Sequence, residues 1–226
     1  DYHRMLMPGT YSLTFTATGY NPITVSNVVV NSGAATRLDV SMTVPQMVYS
    51  FPLDTNPGWT TTGLWTWGTP TGGSGDHGGP DPTSGHTGTR VYGYNLSGGY
   101  ASGIPEYHLT TTAINCTNLT QVSLKFWRWL GVEQRAYDHA YVRVSNNGSS
   151  WTTIWQNPTT ILAETAWSQQ SYDISAVANN QATVYVRWTM GTTDSSWTYC
   201  GWNIDDVEIW ALGSVPADTT PPTPNP

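Results

Sequence analysis

The chain has 226 residues, and fifteen acidic against eight basic side chains leave a formal net charge of −7. Only one basic residue is a lysine, Lys125. Nucleic acid and anionic membrane surfaces are therefore not expected partners, because the chain offers no cationic patch to replace their counterions. Charged residues are just 10% of the chain, while 12 Trp and 13 Tyr stand against 3 Phe. Thr, Ser, Asn, Gly and rings with a polar handle carry the polarity instead, which points to a secreted or cell-surface β-rich protein. There is no 18-residue apolar run, so no membrane insertion by a helix is expected.

The chain begins in strand-like sequence. Pro8-Gly9 reads as a turn, and from Tyr11 to Ala17 apolar and polar residues alternate at the period of a half-buried strand. A second apolar run covers Ile23 to Val30, and after Asn31-Ser32-Gly33 the alternation returns from Arg37 to Met42. Three or four strands in residues 1–44 form a small antiparallel sheet that buries too little apolar surface to offset its ordering entropy alone. Asp1, Tyr2, Arg4, Leu6, Pro8, Gly9, Tyr11, Ala17, Gly19 and Tyr20 follow a distinctive pattern. It resembles the second half of the transthyretin-like β-sandwich that follows the catalytic domain of regulatory-type zinc metallocarboxypeptidases. The resemblance implies a carboxypeptidase upstream in a parent polypeptide. This chain does not carry that enzyme's zinc motif: none of His3, His77, His86, His108 and His139 has a glutamate three residues on.

Residues 47–212 make the larger domain. Its strand candidates are short, β-branched and aromatic, and bounded by Gly, Asn and Pro. Val122, Leu124 and Phe126 share one face against Lys125, Trp127 and Trp129; Val142 and Val144 oppose Tyr141 and Arg143; Val184, Val186 and Trp188 oppose Tyr185 and Arg187. The stretch from Ile161 to Ala178 comes nearest to a helical period, but its polar content makes a poor helix. An all-β sandwich of two antiparallel sheets follows. Residues 213–226 are Pro/Thr-rich and read as an extended linker leading onward.

The landmarks of this domain come in a recognisable order. Phe51 precedes Pro57-Gly58-Trp59, then Leu64-Trp65-Thr66-Trp67, the loop from Asp81 to Gly88, Val91-Tyr92-Gly93-Tyr94, the Leu124–Trp129 strand, and a closing strand from Gly201 to Ile209. The order resembles the MAM-type jelly roll found in surface proteins and in secreted bacterial peptidases and adhesins. Its cysteine pattern is not reproduced. The resemblance implies adhesion or accessory binding and a structural cation, calcium by its chemistry.

If Val207 and Ile209 face the core, strict alternation puts Asp205 there too, and an isolated buried carboxylate costs several kcal/mol. A hard cation relieves that cost, since calcium takes six to eight oxygen ligands. Asp205 and Asp206 are the expected ligands, with Asp54 and Asp81 completing the shell because jelly rolls bring first and last strands together. An edge position, with solvated aspartates, is the alternative. The loop from Thr69 to Arg90 holds seven glycines and three prolines along with Asp76, His77, Asp81 and His86. Its spacing matches no tetrahedral zinc template, and its glycines lack the lysine and helix of a phosphate-binding loop.

No nucleophile elbow is present, and nothing pairs two of the glutamates for glycosidic chemistry, so this chain is expected not to be an enzyme. In a secreted chain the even cysteine count favours a Cys116–Cys200 disulfide, two buried free thiols being the alternative. Trp127, Trp129, Tyr141, Arg143, Tyr185 and Arg187 are candidates for one aromatic and cationic platform that stacks sugar rings or contacts protein. Four sequons (Asn95, Asn115, Asn118, Asn147) are present. Two functions fit: a non-catalytic accessory or adhesion module of a secreted metallocarboxypeptidase-like protein, binding extracellular protein or glycan, and a self-assembling cell-surface component that pairs an open sheet edge with another chain.

Overall fold

The computed structural model describes residues 4–17, 20 and 22–213. The linker read at residues 213–226, apart from Gly213, and Asp1, Tyr2 and Gly19 of the N-terminal pattern, lie outside the described residues. The chain divides into two compact units, Asp1–Pro45 and Gln46–Pro226.

In the first unit, β1 (Gly9–Phe15) and β2 (Ile23–Val30) form an antiparallel hairpin with Gly9 opposite Val30 and Phe15 opposite Ile23. Facing threonines Thr14 and Thr24 are hydrogen-bonded at 2.9 Å. Residues 37–42 do not form the expected third strand. Alternation there gives the pattern of a strand, but the sheet of the described unit contains only β1 and β2, and a strand needs a partner ladder. Val28 is buried, whereas Met5, Met7 and Val29 are exposed.

The second unit is all-β. Its strands are β3 (Gln46–Phe51), β4 (Thr60–Thr61), β5 (Trp65–Gly68), β6 (Val91–Tyr94), β7 (Tyr107–Thr110) and β8 (Thr120–Val132). They continue with β9 (Ala140–Ser145), β10 (Thr152–Gln156), β11 (Leu162–Ala163) and β12 (Ser168–Asp173). After one helical turn, α1 (Ser175–Ala178), come β13 (Tyr185–Met190) and β14 (Gly201–Leu212). One antiparallel sheet runs β10-β9-β13-β7-β4; the other runs β11-β8-β14-β6-β5, with β12 also on β8 and β3 also on β14.

The sheets pack into a sandwich through an aromatic core. Trp188 of β13 meets Phe126 of β8 edge-on at 5.3 Å and stacks on Trp59 at 5.7 Å, and Trp155 meets Trp202 at 5.5 Å. Val122, Leu124, Phe126, Val142, Val144, Val184, Val186 and Trp188 are all fully buried, as single-face burial of alternating strands requires. Among the described residues no helix is long and apolar enough to cross a membrane.

Cys116 and Cys200 are both buried free thiols, which corrects the expected disulfide. Cys116 sits in the turn that accepts the Leu119 amide, at the start of β8. Cys200 precedes Gly201, which pairs with Gly131 near the end of β8. Eleven strand positions at about 3.3 Å each separate those ends by more than 30 Å, against the ~7 Å that a disulfide tolerates between Cα atoms. Burial pushes the Cys116 thiol up to about 11 and the Cys200 thiol up to about 12. Two reactive thiols are expected on Ellman titration in guanidinium and almost none in buffer, and dithiothreitol should leave the unfolding midpoint unchanged.

Candidate functional site

The closing strand β14 changes neighbours along one edge. Asn203 and Ile204 pair with Gly93 and Tyr92 of β6, whereas Val207 to Ala211 pair with β3. Between these stretches the register against β8 slips from Asp205–Trp127 to Glu208–Lys125, and Asp206 takes a left-handed φ of 44°. This bulge inverts the facing of the strand. Trp202 and Ile204 point into the core before it; Val207, Ile209 and Ala211 do so after it. Asp205 therefore shares the outer face with Trp127. It is fully buried nonetheless, because the long loop before β6 covers it. The expectation of a buried acid holds; its core-facing orientation does not, since the bulge breaks the alternation on which it rested.

The gap between β3 and β6 admits two segments to this bulge, Asp54 just beyond β3 and residues 85–90 just ahead of β6. The Thr87 amide donates to Asp205 Oδ2 at 3.1 Å, and the Asp206 amide to Asp205 Oδ1 at 2.9 Å. Asp54 Oδ1 accepts the Thr89 amide at 2.9 Å. Asp206 binds the loop itself, Oδ2 at 2.7 Å from His86 Nδ1 and Oδ1 accepting the Thr87 hydroxyl at 2.6 Å. Gly85 is needed at its position: a Cβ there would fall against the Thr87 carbonyl, Asp205 Oδ2 at 2.7 Å and the Arg90 carbonyl at 3.2 Å. At Gly88 it would strike the Asp54 carboxylate. Burial, and secondarily the Asp206 charge, raise Asp205 to about 7.

Asp81 does not join this group. It is buried beside Asn203, whose amide donates to Asp81 Oδ1 at 2.5 Å, while Asp81 Oδ2 is unpartnered. Burial likewise raises it to about 7. Two positions along β14 separate Asn203 from Asp205, and residues 86–89 bond to Asp54, Asp205 and Asp206 rather than to Asp81.

The six-residue platform is divided between the two sheets. Trp127 and Trp129 belong to β8 and lie under the Thr69–Arg90 loop: His86 stacks on Trp127 with centroids 3.6 Å apart, and Trp129 Nε1 donates to the Pro80 carbonyl at 3.0 Å. Tyr141, Arg143, Tyr185 and Arg187 sit on the outer face of the five-stranded sheet. Alternation assigned each residue to a face, but carries no information about which sheet a strand joins. The loop histidines also separate. His77 stacks on Trp197 at 4.3 Å, whereas His86 stacks on Trp127, and among the described residues neither belongs to a cluster of three metal-ligating side chains.

On the five-stranded sheet Arg143 and Arg187 lie directly opposite each other. Glu106 compensates Arg143 through two bonds, 2.6 and 2.7 Å, and is itself lowered by them. Arg143 also lies over the Tyr141 ring at 4.2 Å. Arg187 lies over Trp151 at 3.8 Å and donates to the Thr110 hydroxyl at 2.9 Å. His108 and Thr189 pair beside them at 3.0 Å. All four platform residues of this sheet are half-buried. Trp151 and Glu106 were not singled out from the sequence; Glu106 lies just before β7, and Trp151 follows the turn at residues 145–150, where no alternation marks them.

No family model matches the chain. Over 42 residues it is 52% identical to mouse carboxypeptidase D, covering 19% of this chain and 3% of that protein. Over 166 residues it is 29% identical to bacillopeptidase F of Bacillus subtilis (strain 168), covering 71% of this chain and 10% of that protein. The chain thus spans a small fraction of these relatives. The CBM22-1 xylan-binding domain of Paenibacillus barcinonensis Xyn10C aligns at TM-score 0.44 and 10% identity, over 76% of this chain and 97% of that domain.

Proposed function

We propose that this chain is a non-catalytic binding module of an extracellular or cell-surface protein, engaging glycan through the outer face of the five-stranded sheet. One observation carries the reading. Half-buried Tyr141, Tyr185 and Trp151 alternate there with Arg143 and Arg187, and only Arg143 has a carboxylate partner in that pair of arginines. Ring faces stack on sugar rings, and guanidinium donors suit hydroxyls and carboxylates. The remaining donors of Arg187 await an acceptor from a ligand.

Calcium is proposed for the β14 bulge. Asp54, Asp205 and the Thr87 and Arg90 carbonyls are an oxygen-only donor set, which fits that ion, and a buried carboxylate held ionised there requires a counter-charge. The ion would fasten the long loop across β8 and take no part in chemistry. A metallocarboxypeptidase-like parent, and MAM-like and transthyretin-like assignments of the two units, rest on the sequence patterns and the short carboxypeptidase D match.

The test is a microarray of neutral and acidic polysaccharides. Wild-type protein should bind a subset, and Arg187→Ala and Tyr141→Ala should each weaken that binding about tenfold, the effect of ~1.4 kcal/mol. Binding unchanged in both variants would exclude this face. The second reading, self-assembly, draws on the two-stranded hairpin of the first unit with its exposed Met5, Met7 and Val29; light scattering would then report an oligomer.

A further inference from the structure

A second group of acids lies apart from the β14 bulge. Glu133 follows the end of β8, Asp138 lies in the connection to β9, and Asp194 in the connection from β13 to β14. One carboxylate oxygen from each comes within 4.8 Å of the other two. An ion bonded to oxygen at 2.3–2.6 Å reaches ligands up to roughly 5 Å apart, so one calcium can touch all three.

The group is held in place. The buried Asn157 amide donates to the carbonyls of both Glu133 and Asp138 at 2.9 Å. Tyr100 donates its hydroxyl to Asp138 Oδ2 at 2.5 Å, and the Asp194 amide donates to Asp138 Oδ1 at 3.0 Å. Ser196 holds the Asp194 carboxylate through its amide at 2.7 Å and its hydroxyl at 2.8 Å.

Glu133 is the exception in this network. It is 5% exposed, and its Oε2 is buried without a hydrogen-bond partner. A carboxylate oxygen sealed from water with no donor costs several kcal/mol and calls for a compensating group. No lysine or arginine forms an ion pair with any of the three acids among the described residues. Tyr100 and the backbone amides satisfy Asp138 but do not balance the charge.

We infer that Glu133, Asp138 and Asp194 bind a second hard divalent cation, calcium by its all-oxygen donor set, which ties the β8–β9 connection to the β13–β14 connection. This site is independent of the glycan face and of the β14 bulge.

Calorimetric titration of the metal-stripped full chain with calcium tests it. Wild type should take up two equivalents, Asp205→Asn should keep one, and Glu133→Gln should lose that one or weaken it at least tenfold. Asp194→Asn, on a half-exposed side chain, should do the same and serves if Glu133→Gln fails to fold by near-ultraviolet dichroism. One equivalent in wild type that survives in Asp205→Asn but vanishes in Glu133→Gln would support this site and refute the bulge site. No binding left in Asp205→Asn, or titrations of both Glu133→Gln and Asp194→Asn that match wild type, would overturn the inference.

Discussion

Stripping calcium at pH 7.5 should lower the unfolding midpoint of the larger unit by roughly 5–10 °C for each site that was occupied. A site held at a hundredfold excess over its Kd contributes about 2.7 kcal/mol, and each kcal/mol shifts a unit of this size by about 2–4 °C. The pH dependence has a definite sign. Without the ion Asp205 titrates at about 7 in the folded chain, against about 3.9 unfolded. Between those values the folded state holds a proton that the unfolded state has released, so metal-free stability falls as pH rises from about 4 to 7 and levels off above that. Asp81 adds a slope of the same sign.

Calcium requires the ionised carboxylate, so its stabilisation should be large at pH 7.5 and small at pH 5. Asp205→Asn removes the buried charge. In chelator at pH 7.5 it should melt above the wild type, with a shallower pH slope, and it should lose the share of calcium stabilisation that belongs to the bulge. Differential scanning fluorimetry across pH 5–8, with and without chelator, checks each point. A wild-type midpoint indifferent to chelator at pH 7.5 would contradict the site.

Glu164→Ala should be the most damaging single substitution outside the aromatic core, costing about 3–5 kcal/mol in urea unfolding. Arg128 occupies a core-facing position of β8 and is 6% exposed. Its Nε and Nη2 donate to Glu164, the shortest bond being 2.6 Å, and its guanidinium lies over Trp155 at 4.8 Å. Glu164 also accepts the Leu130 amide at 2.8 Å and the Ser168 hydroxyl at 2.7 Å. Truncating the acid leaves a buried cation whose Nη1 already lacks a partner. Replacing both members, Arg128→Met with Glu164→Leu, should recover much of the loss, since no charge is then left uncompensated. A loss below about 1 kcal/mol for Glu164→Ala would show the pair to be solvated.

The sequence made faces legible and pairings obscure. In β8, β9 and β13, burial on one side imposes a period of two, so the buried valines and Trp188 could be read directly. Arg128 sits on the core side of β8 in the structure and was not singled out from the sequence; its partner Glu164 lies 36 residues on, and no local rule joins them. Long-range pairing is also why Trp127 and Tyr141 could not be assigned to different sheets, and why two cysteines at opposite ends of β8 could be taken for a bridge. At β14 a single left-handed residue, Asp206, moved Asp205 from the expected inner face to the outer one. The carbonyls of Thr87 and Arg90 leave no mark in residue identity; Gly85 and Gly88 were the only signal that the chain closes tightly there. Residues 37–42 alternate without forming a strand, because alternation specifies a strand's faces and supplies no neighbour.

The decisive measurement is amide hydrogen exchange of the full chain with an oligosaccharide chosen from the array, run beside an assay for its cleavage products. Protection gained along β9 and β13, little change at residues 84–90, and an intact ligand are expected. Protection confined to the Thr69–Arg90 loop or the β1–β2 hairpin, or steady breakdown of the ligand, would refute a binding face on the five-stranded sheet.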